Sequence, residues 1–446
     1  MKESIILDNI AKRLGIAGLN DMQRAVASAR APRIVLLSPT GSGKTVAFAI
    51  AMLRRMKAPS GTVQAVVIAP SRELVLQIAE VVRPIATGYK TVALYGGHSM
   101  RDEEASLSVT PDIVVATPGR LLDHLNRRQI DLSCVATVVL DEYDKSLELG
   151  FADEMKRVVG AMKSLTCEIL TSATALGELP RWLPAMESVT LDFTGGDTGK
   201  APQPTLEVAR VTSHVKDKLP VVIDLLHALP DGRSIVFVNH RESAERVARA
   251  LAGEGLPVGL YHGGLDQNDR ENALEMFNNG TTPVLVSTDL ASRGLDIADV
   301  ANVIHYHLPT SPEAWTHRNG RSGRQGTDGK VFVIISEEEN IPEWIEWDRE
   351  YQPGAPSSDP VRSSVATLYI NAGKREKISR GDIVGYLVHR GGLEAAEIGH
   401  IALRDHSALV AVPAAKVDGL LAALAPHRLK NTRVRVSKLG NVAKKP

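Results

Sequence analysis

Short apolar runs rich in β-branched residues recur along the chain from residue 33 onward, and stretches with helical periodicity separate them. The first six are IVLL (34–37), AVVIAP (65–70), TVALY (91–95), DIVVATP (112–118), TVVLDE (137–142) and CEILTSAT (167–174). Parallel strands buried on both faces read as continuous apolar runs, and their alternation with helices is typical of a parallel sheet wrapped by helices. The pattern therefore predicts an α/β domain over residues 1–195.

The same alternation appears again after a Gly- and Pro-rich stretch, TGGDTGKAPQP (194–204), which is typical of a flexible connector. The later runs are SIVFVN (234–239), GLYHGG (259–264), PVLVST (283–288), NVIHYHLP (302–309) and KVFVIIS (330–336). They predict a second α/β domain over residues 205–350. Near its end, Trp344 and Trp347 are three residues apart, a spacing that predicts one packing face of a helix.

A third domain follows the Pro- and Ser-rich stretch QPGAPSSDPVRSS (352–364). A strand, helix, strand, strand, helix, strand order can be traced over residues 365–440, which predicts a small α+β domain. The length of 446 residues fits about three domains, and a content of 43% hydrophobic and 23% charged residues is ordinary for folded protein.

Cysteine usage indicates a reducing compartment, and the hydropathy of the chain predicts no membrane-spanning segment. Cys134 and Cys167 are the only cysteines, too few and too far apart for a zinc site or a disulfide framework. The N-terminus lacks the pattern of a secretory signal, and no apolar run reaches the ~18 residues that a membrane-spanning helix needs. The sequence predicts a cytoplasmic protein with no membrane partner.

The overall charge of zero hides an asymmetry between the body and the tail. Residues 361–446 carry 15 Lys and Arg against 6 Asp and Glu, a net of +9. Of the totals of 52 and 52, residues 1–360 therefore carry 37 against 46, a net of −9. A basic end domain on an acidic body indicates a polyanionic partner such as nucleic acid, although a solvated basic face gives the same composition.

Candidate phosphate chemistry begins directly after the strand IVLL, where residues 38–45 read SPTGSGKT and a helical segment follows. In a strand, loop and helix of this kind, backbone N–H groups and the helix N-terminus bind phosphates. Lys44 would neutralise the phosphates and Thr45 would coordinate Mg²⁺. The predicted nucleotide-binding residues are Thr40, Gly41, Ser42, Gly43, Lys44 and Thr45. Ser38 stands where the generic pattern has Gly.

Two acids end the strand TVVL, at the edge of the sheet where the phosphate-binding loop is expected. Asp141 is predicted to hold Mg²⁺ together with Thr45. Glu142 is predicted to polarise the attacking water, because a carboxylate beside the metal can accept a proton as the bond to the leaving phosphate breaks.

Asp141, Glu142, Tyr143 and Asp144 stand where DEAD-box helicases carry the tetrapeptide that names them, and the chain resembles that family over residues 15–325. Tyr143 replaces the family's Ala, and the three retained acids predict that hydrolysis is retained. The resemblance implies an α/β protein of two tandem RecA-like parallel-sheet domains, followed here by the small α+β domain, with ATP and Mg²⁺ as cofactors.

Further segments resemble the family's motifs in order, and the resemblance implies their roles. The implied RNA contacts of the two domains are Arg72, Gly97, Thr117, Pro118, Gly119, Arg120, Gln267, Arg270 and Thr288. Ser172 and Thr174 would couple hydrolysis to strand separation, and Asp296 would reach the nucleotide. Arg321 and Arg324 would be arginine fingers. Gln23 matches the adenine-reading Gln, but the neighbouring Pro-Thr-Pro and aromatic residue are absent.

Residues 366–439 resemble the C-terminal domain of one bacterial branch of this family. The resemblance implies an RRM-like fold and binding to large-subunit (23S) ribosomal RNA near the peptidyl-transferase region, in pre-ribosomal particles. After residue 360 only Tyr369 and Tyr386 are aromatic, so base stacking is limited and RNA contacts are expected from charge and loops. The candidate contacts are Lys374, Arg375, Lys377, Arg433 and Arg435.

The combined hypothesis is a monomeric ATP-dependent RNA helicase that unwinds short duplexes locally and is tethered to its target by the tail. An ATP-gated RNA clamp or chaperone would share every motif and would anneal strands without separating them. A DNA helicase is a further alternative, which the RNA-type motifs and the RRM-like tail disfavour.

Overall fold

A computed structural model describes residues 1–39, 41–97, 100–173, 179–194, 206–229, 232–292, 297, 300–322, 329–354 and 363–440. Described residues up to Thr194 belong to one compact unit, and those from Leu206 onward belong to a second. Each unit contains a parallel sheet, and the second unit also contains an antiparallel sheet formed by the C-terminal domain.

The first unit is built on a parallel sheet that has, among the described residues, seven strands in the order β3-β4-β2-β5-β6-β1-β7. The strands are β1 Arg33–Leu37, β2 Ala65–Ile68, β3 Thr91–Leu94, β4 Ile113–Ala116, β5 Thr137–Leu140, β6 Cys167–Ser172 and β7 Ser188–Asp192. The helices are α1 Glu3–Leu14, α2 Asp21–Ser28, α3 Lys44–Arg55, α4 Arg72–Ile85, α5 Met100–Leu107, α6 Pro118–Asn126, α7 Tyr143–Glu148 and α8 Ala152–Gly160.

The central strands of this sheet are buried on both faces, which explains their continuous apolar sequences. Helix α3 packs into the core on one face with every residue from Val46 to Leu53 buried, and α8 contributes Met155 and Val158 to a core on the other face. Because all strands are parallel, the loops after β1 and β5 emerge at the same edge of the sheet.

The second unit repeats this design. Its described strands form a parallel sheet in the order β10-β11-β9-β12-β13-β8-β14, which is the order of the first sheet strand for strand. The strands are β8 Leu206–Ser213, β9 Ser234–Phe237, β10 Val258–Tyr261, β11 Val284–Ser287, β12 Asn302–His305, β13 Gly329–Ser336 and β14 Arg349–Glu350. The helices are α9 Leu219–Ala228, α10 Arg241–Gly253, α11 Gln267–Asn278 and α12 Pro312–Asn319.

The expectation that Trp344 and Trp347 share a helix face is wrong. Residues 337–348 form turns and irregular chain with no helix. Trp347 instead lies beneath the guanidinium of Arg210, with the Arg210 Cζ 5.0 Å from the ring centroid. The i, i+3 spacing is not informative in this segment, because Pro342 and the short turns around it interrupt any helical repeat.

The C-terminal domain has the predicted strand, helix, strand, strand, helix, strand order. Its elements are β15 Val365–Ile370, α13 Arg380–His389, β16 Ile401–Leu403, β17 Ala408–Pro413, α14 Val417–Leu424 and β18 Val436–Lys438. The antiparallel sheet has the strand order β16-β17-β15-β18 in the part of the chain that the structure describes. Both helices pack on one face of the sheet, where Leu368, Ile370 and Val410 form the core with Leu387 and Leu420.

Candidate active site and RNA-contacting segments

The predicted phosphate-binding loop connects β1 to α3. Gly41 and Gly43 have φ values of 79° and 88°, in the left-handed region that glycine occupies without strain. Lys44 begins α3 and its Nζ donates to the carbonyl oxygens of Ser38 and Pro39 at 2.6 and 2.9 Å, which holds the ammonium against the loop. Thr45 lies in the first turn of α3, while Thr40 lies outside the described residues.

Ser38, where the generic motif has Gly, is accommodated by local hydrogen bonds. Its Oγ donates to the Oγ of Ser42 at 2.7 Å, which ties the two ends of the loop together. Its backbone N–H donates to the carbonyl of Ser172 at 3.0 Å. Ser172 ends β6 and is fully buried, so this predicted coupling residue is bonded directly to the base of the phosphate loop. Thr174 lies outside the described residues.

Asp141 and Glu142 follow β5, at the same edge of the sheet as the phosphate loop. The Thr171 hydroxyl donates to Asp141 Oδ1 and accepts from the Glu142 N–H at 3.2 Å. Burial raises the pKa of Asp141, and the Thr171 hydrogen bond and the Lys44 ammonium oppose that rise. Glu142 has a φ of 46°, a left-handed conformation that costs a non-glycine residue ~1–2 kcal/mol. Strained backbone of this kind is concentrated at functional sites.

Tyr143, the departure from the tetrapeptide, points into the core of the first unit and is 1% exposed. Within the described residues its hydroxyl has no hydrogen-bond partner, and neither does Oε1 of the buried Glu168. Burial and the nearby Glu168 carboxylate raise the pKa of Tyr143 to about 12. Glu168 is itself bonded to Arg33 at 2.7 Å, between the neighbouring strands β6 and β1.

Gln23 and Asn20 join the N-terminal helix α2 to the phosphate loop. The two residues form a capping box, in which each side chain accepts a hydrogen bond from the other's backbone N–H. The Gln23 amide also donates to the Gly43 carbonyl at 3.3 Å, and the Asn20 amide donates to the Ser42 carbonyl at 3.1 Å. Gln23, which is 5% exposed, therefore holds the loop that carries the predicted phosphate contacts.

Two predicted RNA-contacting segments of the first unit meet through Arg72 and Gly97. Arg72 begins α4, and its guanidinium lies so close to Gly97 that a Cβ there would be 2.0 Å from Nη1. Gly97 has a φ of 98°, which glycine adopts without strain, and its lack of a Cβ allows this close approach of the Arg72 guanidinium.

Thr117, Pro118, Gly119 and Arg120 form the N-cap and first turn of α6. Arg120 donates to the buried carboxylate of Glu103, whose pKa is lowered because hydrogen bonds from His124, Tyr95 N–H and Arg120 outweigh its burial. Glu103 and His124 carry no sequence motif, and their part in fixing Arg120 was not predicted.

Helix α11 of the second unit carries Gln267 and Arg270 in its first turn, and the two side chains are hydrogen-bonded to each other. Thr288 follows β11. Arg321 follows α12 and is 1% exposed. Asp296 and Arg324, which complete the predicted nucleotide contacts of this domain, lie outside the described residues.

The cationic candidates of the C-terminal domain are all exposed. Lys374, Arg375 and Lys377 lie in the loop between β15 and α13, while Arg433 and Arg435 precede β18. In the described part of the chain, no helix is both long enough and apolar enough to span a bilayer.

A glycine-rich phosphate loop beside an acidic strand end, followed by a second sheet of identical strand order, defines a P-loop ATPase with tandem motor domains. Comparison with known families makes the class more specific. The DEAD/DEAH box helicase family matches residues 20–180, the Helicase conserved C-terminal domain matches residues 217–326, and the DbpA RNA binding domain matches residues 367–438.

Individual relatives agree with these matches. The ATP-dependent RNA helicase DbpA of Escherichia coli (strain K12) is 33% identical over 414 residues, which cover 89% of this chain and 89% of the relative. DbpA of Bacillus subtilis (strain 168) is 28% identical over 463 residues and 95% of each chain. The structure of S. cerevisiae Dbp5 bound to RNA and ADP BeF3 superposes with a TM-score of 0.65 at 26% identity, over 75% of this chain and 88% of that one.

The chain belongs to the DEAD-box family of ATP-dependent RNA helicases. It is an RNA-dependent ATPase with an RNA-binding domain of the DbpA type at its C-terminal end. The predicted family, enzyme class and fold are thereby confirmed, including the two RecA-like parallel-sheet domains and the small α+β domain.

Proposed function

We propose that this helicase is targeted by its C-terminal domain to large-subunit ribosomal RNA, and that it unwinds short duplexes there during ribosome assembly in the cytoplasm. The match of residues 367–438 to the DbpA RNA binding domain carries the proposal. The exposed cations of that domain, with a net charge of +9 over residues 361–446, suit an RNA partner. The chain is proposed to act as a monomer.

In the proposed hydrolysis, a water molecule attacks the γ-phosphorus of ATP and the bond to ADP breaks. Glu142 accepts the proton of the water, while Lys44 and the loop N–H groups stabilise the charge on the phosphates. Arg321 and Arg324 would stabilise the charge that develops on the transferred group. Arg321 is buried, so this role requires a rearrangement that exposes it, which ATP and RNA binding would supply.

A magnesium ion is proposed at Thr45 and Asp141. The residues fit such an ion, because a hydroxyl and a carboxylate are hard oxygen donors. Burial raises the pKa of Asp141, and a neighbouring cation would lower that pKa again. When bound, the ion would screen the negative charge of the triphosphate. The Thr171 hydroxyl would keep the Asp141 carboxylate oriented toward it.

RNA is proposed to contact both motor domains through the residues that match the family motifs. In the first unit these are Arg72, Gly97, Thr117, Pro118, Gly119 and Arg120, and in the second they are Gln267, Arg270 and Thr288. Ser172 is bonded to the base of the phosphate loop. Together with Thr174, it would couple ATP hydrolysis to the separation of RNA strands. Gln23 and Asp296 would complete the nucleotide site.

Steady-state ATP hydrolysis by the full chain, with no RNA, with unrelated RNA and with fragments of large-subunit ribosomal RNA, tests this proposal. One ribosomal fragment is expected to stimulate hydrolysis more than unrelated RNA of equal length. A strand-separation assay with matched RNA and DNA duplexes accompanies it, and only the RNA duplex should separate. Equal stimulation by all RNAs would remove the ribosomal assignment, and annealing without separation would favour the RNA clamp.

A further inference from the structure

One buried carboxylate lies between two segments of the first motor domain that are proposed to contact RNA. Glu103, on α5, is 1% exposed. Its Oε1 accepts a hydrogen bond from the Tyr95 N–H at 3.0 Å, immediately before Gly96 and Gly97, and its Oε2 accepts from Arg120 Nε at 2.5 Å, in the first turn of α6. The same carboxylate therefore holds the chain that leads into Gly97 and the start of α6.

The contact with Glu103 fixes the orientation of the Arg120 guanidinium. The carboxylate occupies the Nε edge, and Nη1 lies 3.8 Å from Asp123 on the next turn of the helix. Nη2 is buried and has no hydrogen-bond partner within the described residues. A buried donor without a partner costs free energy, so Nη2 would be stabilised by an RNA phosphate oxygen that reached it.

His124 is the third partner of Glu103, and its contacts define its charge. It lies one turn after Arg120 on α6 and is fully buried. Its Nε2 is 2.7 Å from Glu103 Oε2, and its Nδ1 is 2.7 Å from Gln129 Oε1. Both ring nitrogens therefore face oxygen atoms. A neutral imidazole has one N–H and could donate to only one of these oxygens, whereas an imidazolium donates to both.

The orientation of the Gln129 amide supports this protonation. Gln129 Nε2 donates to Glu104 Oε1 at 2.7 Å, so the amide oxygen is the atom that faces His124. The reverse orientation would place the acceptor oxygens of Gln129 and Glu104 against each other. The Gln129 backbone N–H also donates to the His124 carbonyl at 3.0 Å, which keeps the amide beside the ring.

The charges around the ring favour the same state. Burial would raise the pKa of Glu103, but hydrogen bonds from His124, the Tyr95 N–H and Arg120 lower it, so an ionised carboxylate lies against the ring. The charged groups on the helices around His124, within the described residues, are Glu103 and Glu104 on α5, Arg120, Asp123 and Arg127 on α6, and Arg157 on α8, which donates to Asn126. Glu103 is the carboxylate that contacts the ring directly.

We infer that Glu103 and a doubly protonated His124 are positioning residues for RNA binding, because together they hold Arg120 and the approach to Gly97 in the arrangement that meets the RNA backbone. They act through Arg120 and do not touch the RNA themselves. Loss of one His124 proton leaves Glu103 or Gln129 facing a nitrogen lone pair, so RNA affinity should fall as pH rises. The inference rests on the RNA contacts proposed for Arg120 and Gly97, but not on ribosomal targeting.

The test measures ATP hydrolysis by the full chain against the concentration of one unrelated single-stranded RNA, and K(RNA) is the concentration that gives half of the stimulation. Glu103→Ala should raise K(RNA) by about 10-fold, with kcat at saturating RNA and the KM for ATP within about twofold of wild type. Glu104→Ala, at the adjacent exposed carboxylate of α5, is the matched control and should leave K(RNA) within about twofold. Removing a negative charge near RNA would by itself lower K(RNA), so a rise has the sign of lost positioning.

The charge of His124 is tested by pH dependence and by a conservative variant. In the wild type, K(RNA) should rise by about 3- to 10-fold between about pH 6 and about pH 9. His124→Leu should raise K(RNA) by a similar factor at about pH 6 and abolish this pH dependence. Glu103→Gln keeps an acceptor for Arg120 but removes the charge that holds the second proton. Its K(RNA) should therefore stay within about threefold of wild type at about pH 9 and no longer rise with pH.

NMR of the full chain with nitrogen-labelled histidine rings reports the protonation directly. The two ring-nitrogen signals that are lost in His124→Leu should both be those of protonated nitrogens at neutral pH. Thermal unfolding checks that each variant is folded, and His124→Leu decides by the same criteria if Glu103→Ala does not fold.

A folded Glu103→Ala with the wild-type K(RNA) would overturn the inference, and so would equal rises of K(RNA) and the KM for ATP, which indicate general damage to the domain. A pH profile that His124→Leu leaves unaltered, or an unprotonated nitrogen in the wild-type ring at neutral pH, would also overturn it. If ribosomal and unrelated RNA stimulate hydrolysis equally, the ribosomal targeting fails, while the ratios among variants on unrelated RNA still decide this inference.

Discussion

The two motor domains have the same strand order but differ in what stands at the ends of corresponding strands. After β1 comes a glycine-rich loop, and after β5 come Asp141 and Glu142. The first strand of the second sheet, β8, leads instead into a chain with no glycine before α9, and β12, which ends in His305, is followed by Tyr306 and His307 rather than by acids. The sheet therefore supplies positions, and the loop residues supply the chemistry.

Two buried lysines show the difference most clearly. Lys44 begins α3 and bonds the carbonyls of Ser38 and Pro39 within the loop predicted to bind phosphate. Lys218 stands before α9 in the second domain and bonds the carbonyls of Tyr306 and Ile334. Lys218 also forms an ion pair with Glu339, which opposes the lowering of its pKa by burial. Lys218 is a structural lysine that connects three segments of its domain.

The ends of β5 and β12 also differ, because an acid follows β5 and none follows β12. Asp141 is an acid whose carboxylate is bonded by Thr171 and lies near Lys44. His305 is buried, its Nε2 donates to Asn319 Oδ1 at 2.8 Å, and its ring stacks on Trp315. Burial, with the nearby Arg318, lowers the pKa of His305 to about 3, so the ring is neutral at physiological pH. His305 therefore contributes to the packing of the second domain and has no charge with which to stabilise a phosphate.

The largest effect is expected from Glu142→Gln. The amide cannot accept the proton of the attacking water, so kcat for RNA-stimulated ATP hydrolysis should fall by ~10²–10⁴-fold with little change in the KM for ATP. Glu148→Gln, on the exposed side of the same helix α7, is the control and should retain the wild-type kcat. Retention of most of the activity by Glu142→Gln would show that another group takes the proton.

Tyr143→Ala tests whether the unusual tetrapeptide is supported by the core of the first domain. Removing this buried ring should lower the free energy of unfolding by ~3–5 kcal/mol, measured by denaturant titration. Tyr143→Phe keeps the ring and removes a hydroxyl without a partner among the described residues, so it should be neutral or slightly stabilising. RNA-stimulated ATP hydrolysis by folded Tyr143→Ala should remain at the wild-type rate. If Tyr143→Ala were as stable as the wild-type protein, the Tyr143 ring would not support the core of the first domain.

Lys218→Met should lower the free energy of unfolding of the second domain by ~1.5–3 kcal/mol, because two buried carbonyls and Glu339 lose a charged donor. Lys216→Met, at a position that is 87% exposed, is the matched control and should have no measurable effect. The same denaturation midpoint for both variants would mean that Lys218 is not the structural lysine inferred here.

The smallest expected effect is the pH dependence of the stability of the second domain. Its folded state keeps His305 neutral, with a pKa of about 3 against 6.5 for the free side chain, so the unfolded state binds more protons between these values. The free energy of unfolding should therefore fall as pH drops below 6.5, by at most ~1.4 kcal/mol per pH unit for His305. His307, with a pKa of about 4, should lower the free energy of unfolding over the same pH range. His305→Gln should flatten the slope of unfolding free energy between pH 6 and 5; an unaltered slope would assign the effect elsewhere.

The sequence was most informative for strands buried on both faces. β2, β4, β5 and β9 appear as continuous apolar runs because no side chain in them meets water. The edge strand β7 and the strand β8 were not predicted. β7 is not buried at any position, and β8 alternates between buried and partly exposed residues, so neither has the apolar run that marked the central strands.

Motif residues such as Lys44 and Asp141 could be predicted because their chemistry imposes a residue type at a fixed spacing. Their supports could not. Thr171 and Glu103 are ordinary polar residues in sequence, and they reach Asp141 and Arg120 only through strand order and helix packing. The hydrogen bond between Thr367 of the C-terminal domain and Asn279 of the second motor domain is likewise a property of tertiary structure, since 88 residues separate the two partners.

The most direct test compares RNA-stimulated ATP hydrolysis by Lys44→Met and Lys218→Met, which remove the same charge from equivalent places in the two domains. At a temperature where both variants are folded, kcat should fall by ~10²–10³-fold for Lys44→Met and stay within about twofold of wild type for Lys218→Met. Comparable losses in both folded variants, or full activity in Lys44→Met, would contradict the assignment of the phosphate-binding loop to the first domain.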